Sequence, residues 1–156
     1  LRSYRVHGKG KDKYDNIRIG VNSRLDTIQA AILLEKLAIF PEEVVRRNIV
    51  ATAYSDALSS KFKKPETPKG YVSSWAQYTV VSEERDTLRA RCLETNVPTM
   101  IYYATCIHQQ SAFAQLNWVG SPCTVAERLS KSVLSLPIHP YLCTSDQARI
   151  LNTLNG

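Results

Sequence analysis

Between Ile28 and Leu34 the chain reads I-Q-A-A-I-L-L, and apolar side chains fall on every side of any helix drawn through it. A helix apolar all round is one that is buried, in a core or in an interface. Ser23 and Asp26 stand three apart ahead of it, the spacing of a capping box with Asp in place of Glu or Gln. The pattern predicts a helix over 24–39, broken at Phe40-Pro41 because the residue before a proline avoids the helical region. Pro41 suits the first position of a second helix, and Glu42 and Glu43 complement its dipole. That second helix runs to Leu58, with Val45, Ile49, Ala53 and Ala57 as its buried face.

The rest alternates between periods. Residues 59–72 form a loop with two prolines and a glycine. Residues 74–81 predict a strand, aromatic and β-branched at period two. A helix over 84–94 places Leu88 and Cys92 on one face, with Asn96 as a left-handed terminator. A strand over 98–103, a short helix over 111–116 and a helix over 124–134 follow, the last with Val125, Leu129 and Val133 inward. A strand over 135–138 precedes a terminal helix opened by a second capping box, Thr144-x-x-Gln147, and carrying Ile150, Leu151 and Leu154. Upstream, residues 8–16 form a polar loop and 17–21 a brief extended segment. The fold class is α+β: long N-terminal helices joined to a small sheet covered by helices.

Composition narrows the partners. The chain has 156 residues, 44% hydrophobic and 22% charged, with a net charge of +6, the size and balance of a globular domain. Its lysines and arginines are scattered, apart from Lys9, Lys11 and Lys13 and the pair Lys63–Lys64, so the clustered footprint of a nucleic-acid binder is missing. An anionic small molecule suits the charge. Cys92, Cys106, Cys123 and Cys143 show no C-x-x-C spacing, which argues against zinc and against a disulfide framework; they read as reduced cytoplasmic thiols. The longest apolar run stops at Glu35-Lys36, too short to span a bilayer. Leu1 to Gly8 reads as the interior of a longer chain.

Candidate chemistry is sparse. No Walker loop, G-x-G-x-x-G, H-E-x-x-H or G-x-S-x-G is present. Asn22 and Arg24 stand at the predicted helix mouth, where an anion is welcome; they serve equally as capping and surface residues. His7, His108 and His139 have no metal-ligand spacing. Tyr102-Tyr103 and His108 follow a predicted strand, where side chains project into clefts. His139 and Tyr141 are bracketed by Pro137 and Pro140, which either fix the two rings or merely end the strand.

Several segments together carry more. R-V-H-G at 5–8, I-R-I-G-V-N-S-R-L-D-T-I-Q-A-A-I-L at 17–33 and A-Q-Y-T-V at 76–80 stand in order with V-P-T-M-I-Y-Y at 97–103 and L-S-L-P-I-H-P-Y-L at 134–142. In this the chain resembles the pyridoxal-phosphate (PLP)-dependent nucleotide-sugar aminotransferases of the DegT/StrS type. The resemblance implies a truncated fold-type I aminotransferase: residues 1–40 as a remnant of the large PLP-binding domain with its linking helix, and 41–156 as the C-terminal small α+β domain. It implies that Asn22 reaches the phosphate of the neighbouring subunit's PLP. Arg18, Arg24, Tyr103, His108, His139 and Tyr141 then face the sugar nucleotide. Ala104, Cys106 and Ser111 replace prolines of the family's Y-P-x-P-x-H segment, which loosens that loop. None of the nine lysines stands in the family's S-x-x-P-x-K context. The resemblance therefore implies amino transfer to a keto-sugar nucleotide by the full-length enzyme. It also implies no PLP on this stretch alone, no catalytic residue within it, and a homodimer or higher oligomer through the 25–39 helix. A stand-alone oligomerisation module derived from such an enzyme is the alternative.

Overall fold

The computed structural model of the chain describes residues 1–12, 14–113, 115 and 120–156. They form two compact units, Leu1–Pro41 and Glu42–Gly156. One helix, α1 (Thr27–Ala57), runs through both, so the predicted break at Phe40-Pro41 does not occur: Pro41 lies inside the helix. A proline there removes one backbone donor and crowds the carbonyl four residues back. That carbonyl belongs to Leu37, an exposed residue, so losing the donor there does not strand a buried acceptor. Long helical stretches on both sides hold the geometry.

The first unit is an irregular hairpin followed by the start of α1. Val21 N–H donates to the Tyr4 carbonyl at 2.8 Å, His7 N–H to Val21 at 3.0 Å and Ser23 N–H to Arg5 at 2.9 Å. Val6 pairs with Asn22, and Lys9 with Asn16, as antiparallel bridges. The two arms touch backbone to backbone at two glycines. Gly8 has φ +73°, and a Cβ on it would lie 1.7 Å from the Arg18 carbonyl oxygen; one on Gly20 would lie 2.1 Å from the Gly8 nitrogen. This pairing also undoes the predicted capping box. Ser23 is held in the hairpin, and the first helical bond runs from Ala30 N–H to the Asp26 carbonyl, so Asp26 takes the cap position.

The second unit is built on a two-stranded antiparallel sheet, β1 (Tyr78–Val81) against β2 (Val133–Leu136), in the register Tyr78 to Leu136 and Val80 to Leu134. Single bridges extend it on both sides, Lys63 to Val81 and Met100 to Ser135. The predicted strand over 98–103 shrinks to that one bridge at Met100. The strand over 74–81 starts late because Trp75 turns left-handed at φ +45°. Its indole N–H donates to Asn48 Oδ1 at 2.9 Å, and its carbonyl accepts from Arg47 at 3.0 Å. The third predicted strand begins two residues early, at Val133, and ends before Pro137, which has no N–H to give.

Around the sheet pack α2 (Arg85–Glu94), α3 (Thr124–Ser132) and α4 (Thr144–Asn155), with 3₁₀ turns at Ile107–Gln109 and Ser111–Phe113. The short helix expected over 111–116 is that second turn in part; Ala114 and Leu116 lie outside the described residues. At the end of α2, Asn96 has φ +54°, and Val97 N–H reaches back to the Cys92 carbonyl at 2.7 Å, a Schellman closure.

The core joins Val50, Ala51 and Tyr54 of α1, and Leu58 just after it, to Tyr78, Val80, Leu88, Cys92, Leu134, Leu136, Ile150 and Leu154. The α1 stripe is therefore not the expected one: Val45 is 59% exposed and Ile49 65%. This stretch of the helix has two apolar faces. The face with Tyr54 buries the larger side chain and finds its hydroxyl a partner, the Pro137 carbonyl at 2.8 Å. Burial there pushes the Tyr54 phenol far above its ordinary pKa. In α3, Ser130 takes an inward place, while Val125 is exposed and Leu129 half-buried; Val133, expected on the same helix, opens β2 and is half-buried there. Gln147 does not close a capping box. Cys143 caps α4, and the Gln147 amide, buried, donates to the Val50 carbonyl at 2.9 Å. Gln147→Ala should cost about 1–2 kcal/mol, the price of one buried hydrogen bond and its packing. A lowered urea midpoint at unchanged slope checks it.

Candidate functional site

The predicted site residues fall into three groups. In the first unit, Asn22 lies in the hairpin, not at the helix mouth, because Ser23 still pairs with Arg5 and the helix waits until Thr27. Arg24 lines a hollow of about 720 Å³ with Val6, His7, Lys9, Tyr14 and Asn16. Arg18 is elsewhere, its guanidinium 5.4 Å from the centre of the Tyr4 ring. Lysine, arginine and amide donors face the hollow, and among the described residues no carboxylate lines it. Such a donor set fits an anion. Lys9 and Asn16 were missed because a lysine-rich loop reads as solvated; the signal was the pairing of that loop around Gly8.

In the second unit, His139 and Tyr141 share a turn. Tyr141 N–H donates to His139 Nδ1 at 3.2 Å, which leaves the proton of a neutral imidazole on Nε2. The Tyr141 hydroxyl donates to Glu43 Oε1 at 2.7 Å, and Arg46 stands 5.9 Å from the ring centre. The Glu43 carboxylate, as acceptor and as a neighbouring negative charge, holds the Tyr141 phenol above its ordinary pKa.

Tyr103 and His108 form the third group. They line one hollow with Tyr102, Cys106, Ile107 and Cys123, and the structure does not place His139 or Tyr141 there. His108 Nε2 pairs with Glu127 at 2.9 Å. Tyr103 has φ +58° and is 84% exposed. An asparagine or glycine is the usual occupant of such a conformation. Among the described residues no three His, Cys, Asp or Glu side chains gather as a metal site, and no helix is long and apolar enough to cross a membrane.

An α+β unit of this build, carried on a long helix behind a glycine-pinned hairpin, is that of a fold-type I aminotransferase. The chain belongs to the DegT/DnrJ/EryC1/StrS aminotransferase family, whose profile matches residues 1–155. It is 39% identical over 146 residues to the UDP-2-acetamido-2-deoxy-3-oxo-D-glucuronate aminotransferase of Pseudomonas aeruginosa, covering 93% of this chain. It is 31% identical over 156 residues to the dTDP-3-amino-3,6-dideoxy-alpha-D-galactopyranose transaminase of Aneurinibacillus thermoaerophilus, covering 99% of this chain. The crystal structure of a family aminotransferase from Brucella abortus superposes with a TM-score of 0.92 at 47% identity, over 99% of this chain and 42% of that one. The chain spans 40% and 41% of the length of those two curated relatives.

Proposed function

We propose that these 156 residues act as the C-terminal part of a PLP-dependent aminotransferase that works in the cytoplasm and moves an amino group to a keto-sugar nucleotide. The observation that carries this reading is the superposition on the Brucella abortus aminotransferase over nearly the whole chain. The first unit is then the tail of the large domain and the second the small domain. When bound, PLP supplies the electron sink for the transfer. Asn22 holds the phosphate of the cofactor in a neighbouring subunit. Arg18, Arg24, Tyr103, His108, His139 and Tyr141 bind and orient the sugar nucleotide. The residue that holds the cofactor covalently is not among these 156, so the chain by itself does not transaminate.

The purified chain, given PLP, glutamate and a UDP-linked 3-keto sugar, should show neither a cofactor absorbance shift nor turnover. Adding the separately produced first three-fifths of the Brucella abortus aminotransferase should restore turnover, and Asn22→Ala should remove most of it. Turnover by the chain alone sinks the reading. The exposed apolar side chains of α1 favour a second one, an oligomerisation module derived from such an enzyme, which predicts self-association and no restoration.

A further inference from the structure

Three side chains on one face of α1 grip the turn that carries His139 and Tyr141. Tyr54 Oη donates to the Pro137 carbonyl at 2.8 Å, Arg47 Nη1 lies 3.4 Å from the Ile138 carbonyl, and Glu43 accepts from the Tyr141 hydroxyl at 2.7 Å. Positions 43, 47 and 54 are four and seven residues apart, which keeps them on one side of a helix. They meet the turn in reverse chain order, so the segment is read as a strip laid antiparallel to the helix. The strip has little of its own to hold it. Two of its five residues are prolines with no N–H, and its internal bonds are Tyr141 N–H to His139 Nδ1 and a long 3.3 Å contact from Leu142 N–H to the His139 carbonyl. The same Arg47 Nη1 also donates to the Trp75 carbonyl at 3.0 Å, so that nitrogen bridges two backbone segments. Glu43 stands among charged neighbours, since Glu42 pairs with Arg46 and Arg46 lies over the Tyr141 ring.

We infer that Glu43, Arg47 and Tyr54 are positioning residues that fix the His139–Tyr141 turn for the sugar nucleotide. This rests on the reading of that turn as a substrate wall. Tyr54 and Arg47 hold the backbone, and Glu43 sets the direction of the Tyr141 ring. The grip binds nothing itself; it removes the cost of ordering His139 and Tyr141 when a ligand arrives.

The test uses the whole chain with Glu43→Ala and Glu43→Gln, since Glu43 is half-buried and lies outside the core. In Glu43→Ala the backbone order parameter at Tyr141 should fall from about 0.85 toward 0.6 while that of Val80 in β1 stays fixed. Affinity for UDP-N-acetylglucosamine as probe should drop about three- to tenfold, the worth of one hydrogen bond. Glu43→Gln keeps an acceptor and should restore both order and affinity. Its phenol titration at Tyr141 should nonetheless move down, because the negative charge is gone, which a purely structural role would not separate. Unchanged order at Tyr141 in Glu43→Ala overturns the inference. His139→Ala and Tyr141→Phe test the underlying reading by themselves. If they leave probe binding intact, or the probe does not bind, the substrate wall falls, while a loosened turn in Glu43→Ala still upholds the grip.

Discussion

Replacing Gly8 by alanine will dismantle the hairpin that carries Asn22. Two costs coincide. The backbone at Gly8 is left-handed, φ +73°, which a Cβ penalises by about 1–2 kcal/mol. The new methyl would also stand 1.7 Å from the Arg18 carbonyl oxygen and 2.6 Å from its carbon, and backbone atoms cannot swing aside as a side chain can. Gly20 faces Gly8 across the same contact, so the partner arm has no slack. The His7 and Val21 amides, both hydrogen-bonded in the hairpin, should lose their protection against hydrogen exchange, while Val80 in β1 keeps its own. Gly70→Ala is the control. Its φ of +86° is equally unfavourable, but among the described residues nothing beyond its chain neighbours lies within 4 Å of the added methyl, so the backbone cost acts alone. If Gly8→Ala is as mild as Gly70→Ala, the arms are not in the contact described.

Charging the first half of α1 should have the next largest effect, on association. Residues 31–40 are all exposed, and Ile28, 76% exposed, stands one turn from Ile32, 59% exposed. Burying such a side chain contributes about 1.5–3 kcal/mol. A face this apolar should draw the chain into dimers or larger assemblies, as expected of the 25–39 helix. Ile28→Asp with Ile32→Asp removes two such side chains and sets two carboxylates in the interface, so dissociation should become at least about a hundredfold easier. Sedimentation checks both halves. A wild-type chain that is monomeric at moderate concentration counts against the proposal, as does a double variant that assembles equally well.

Local rules made much of the second unit legible. The Leu88 and Cys92 face of α2, the left-handed Asn96 and the Ile150 and Leu154 face of α4 each depend on neighbours within a few residues. What escaped depends on partners far along the chain. Nothing near Val50 and Tyr54 says that their face, not that of Val45 and Ile49, meets the sheet; the Pro137 carbonyl, 83 residues away, decides it. Gln147 looked like a cap because its buried acceptor, Val50, is 97 residues distant. The same holds for the site. Arg24, His139 and Tyr141 stood out through motif and proline spacing, whereas Glu43 read only as a complement to a helix dipole until Tyr141 came back to it across 98 residues. Lys9 entered only when the hairpin folded the loop toward Arg24.

The single bridges at Lys63 and Met100 bear on how this chain behaves when it crowds. Each lies along an outer margin of the two-stranded ladder and occupies backbone groups there that would otherwise invite a foreign strand. On one margin Lys61, Lys63 and Lys64 add like charges, and on the other Pro98 withholds a donor. Both margins of the ladder are thereby blunted against the open-ended stacking of strands that ends in fibrils, which leaves the exposed apolar side chains of α1 as the surface on which the proposed association would act.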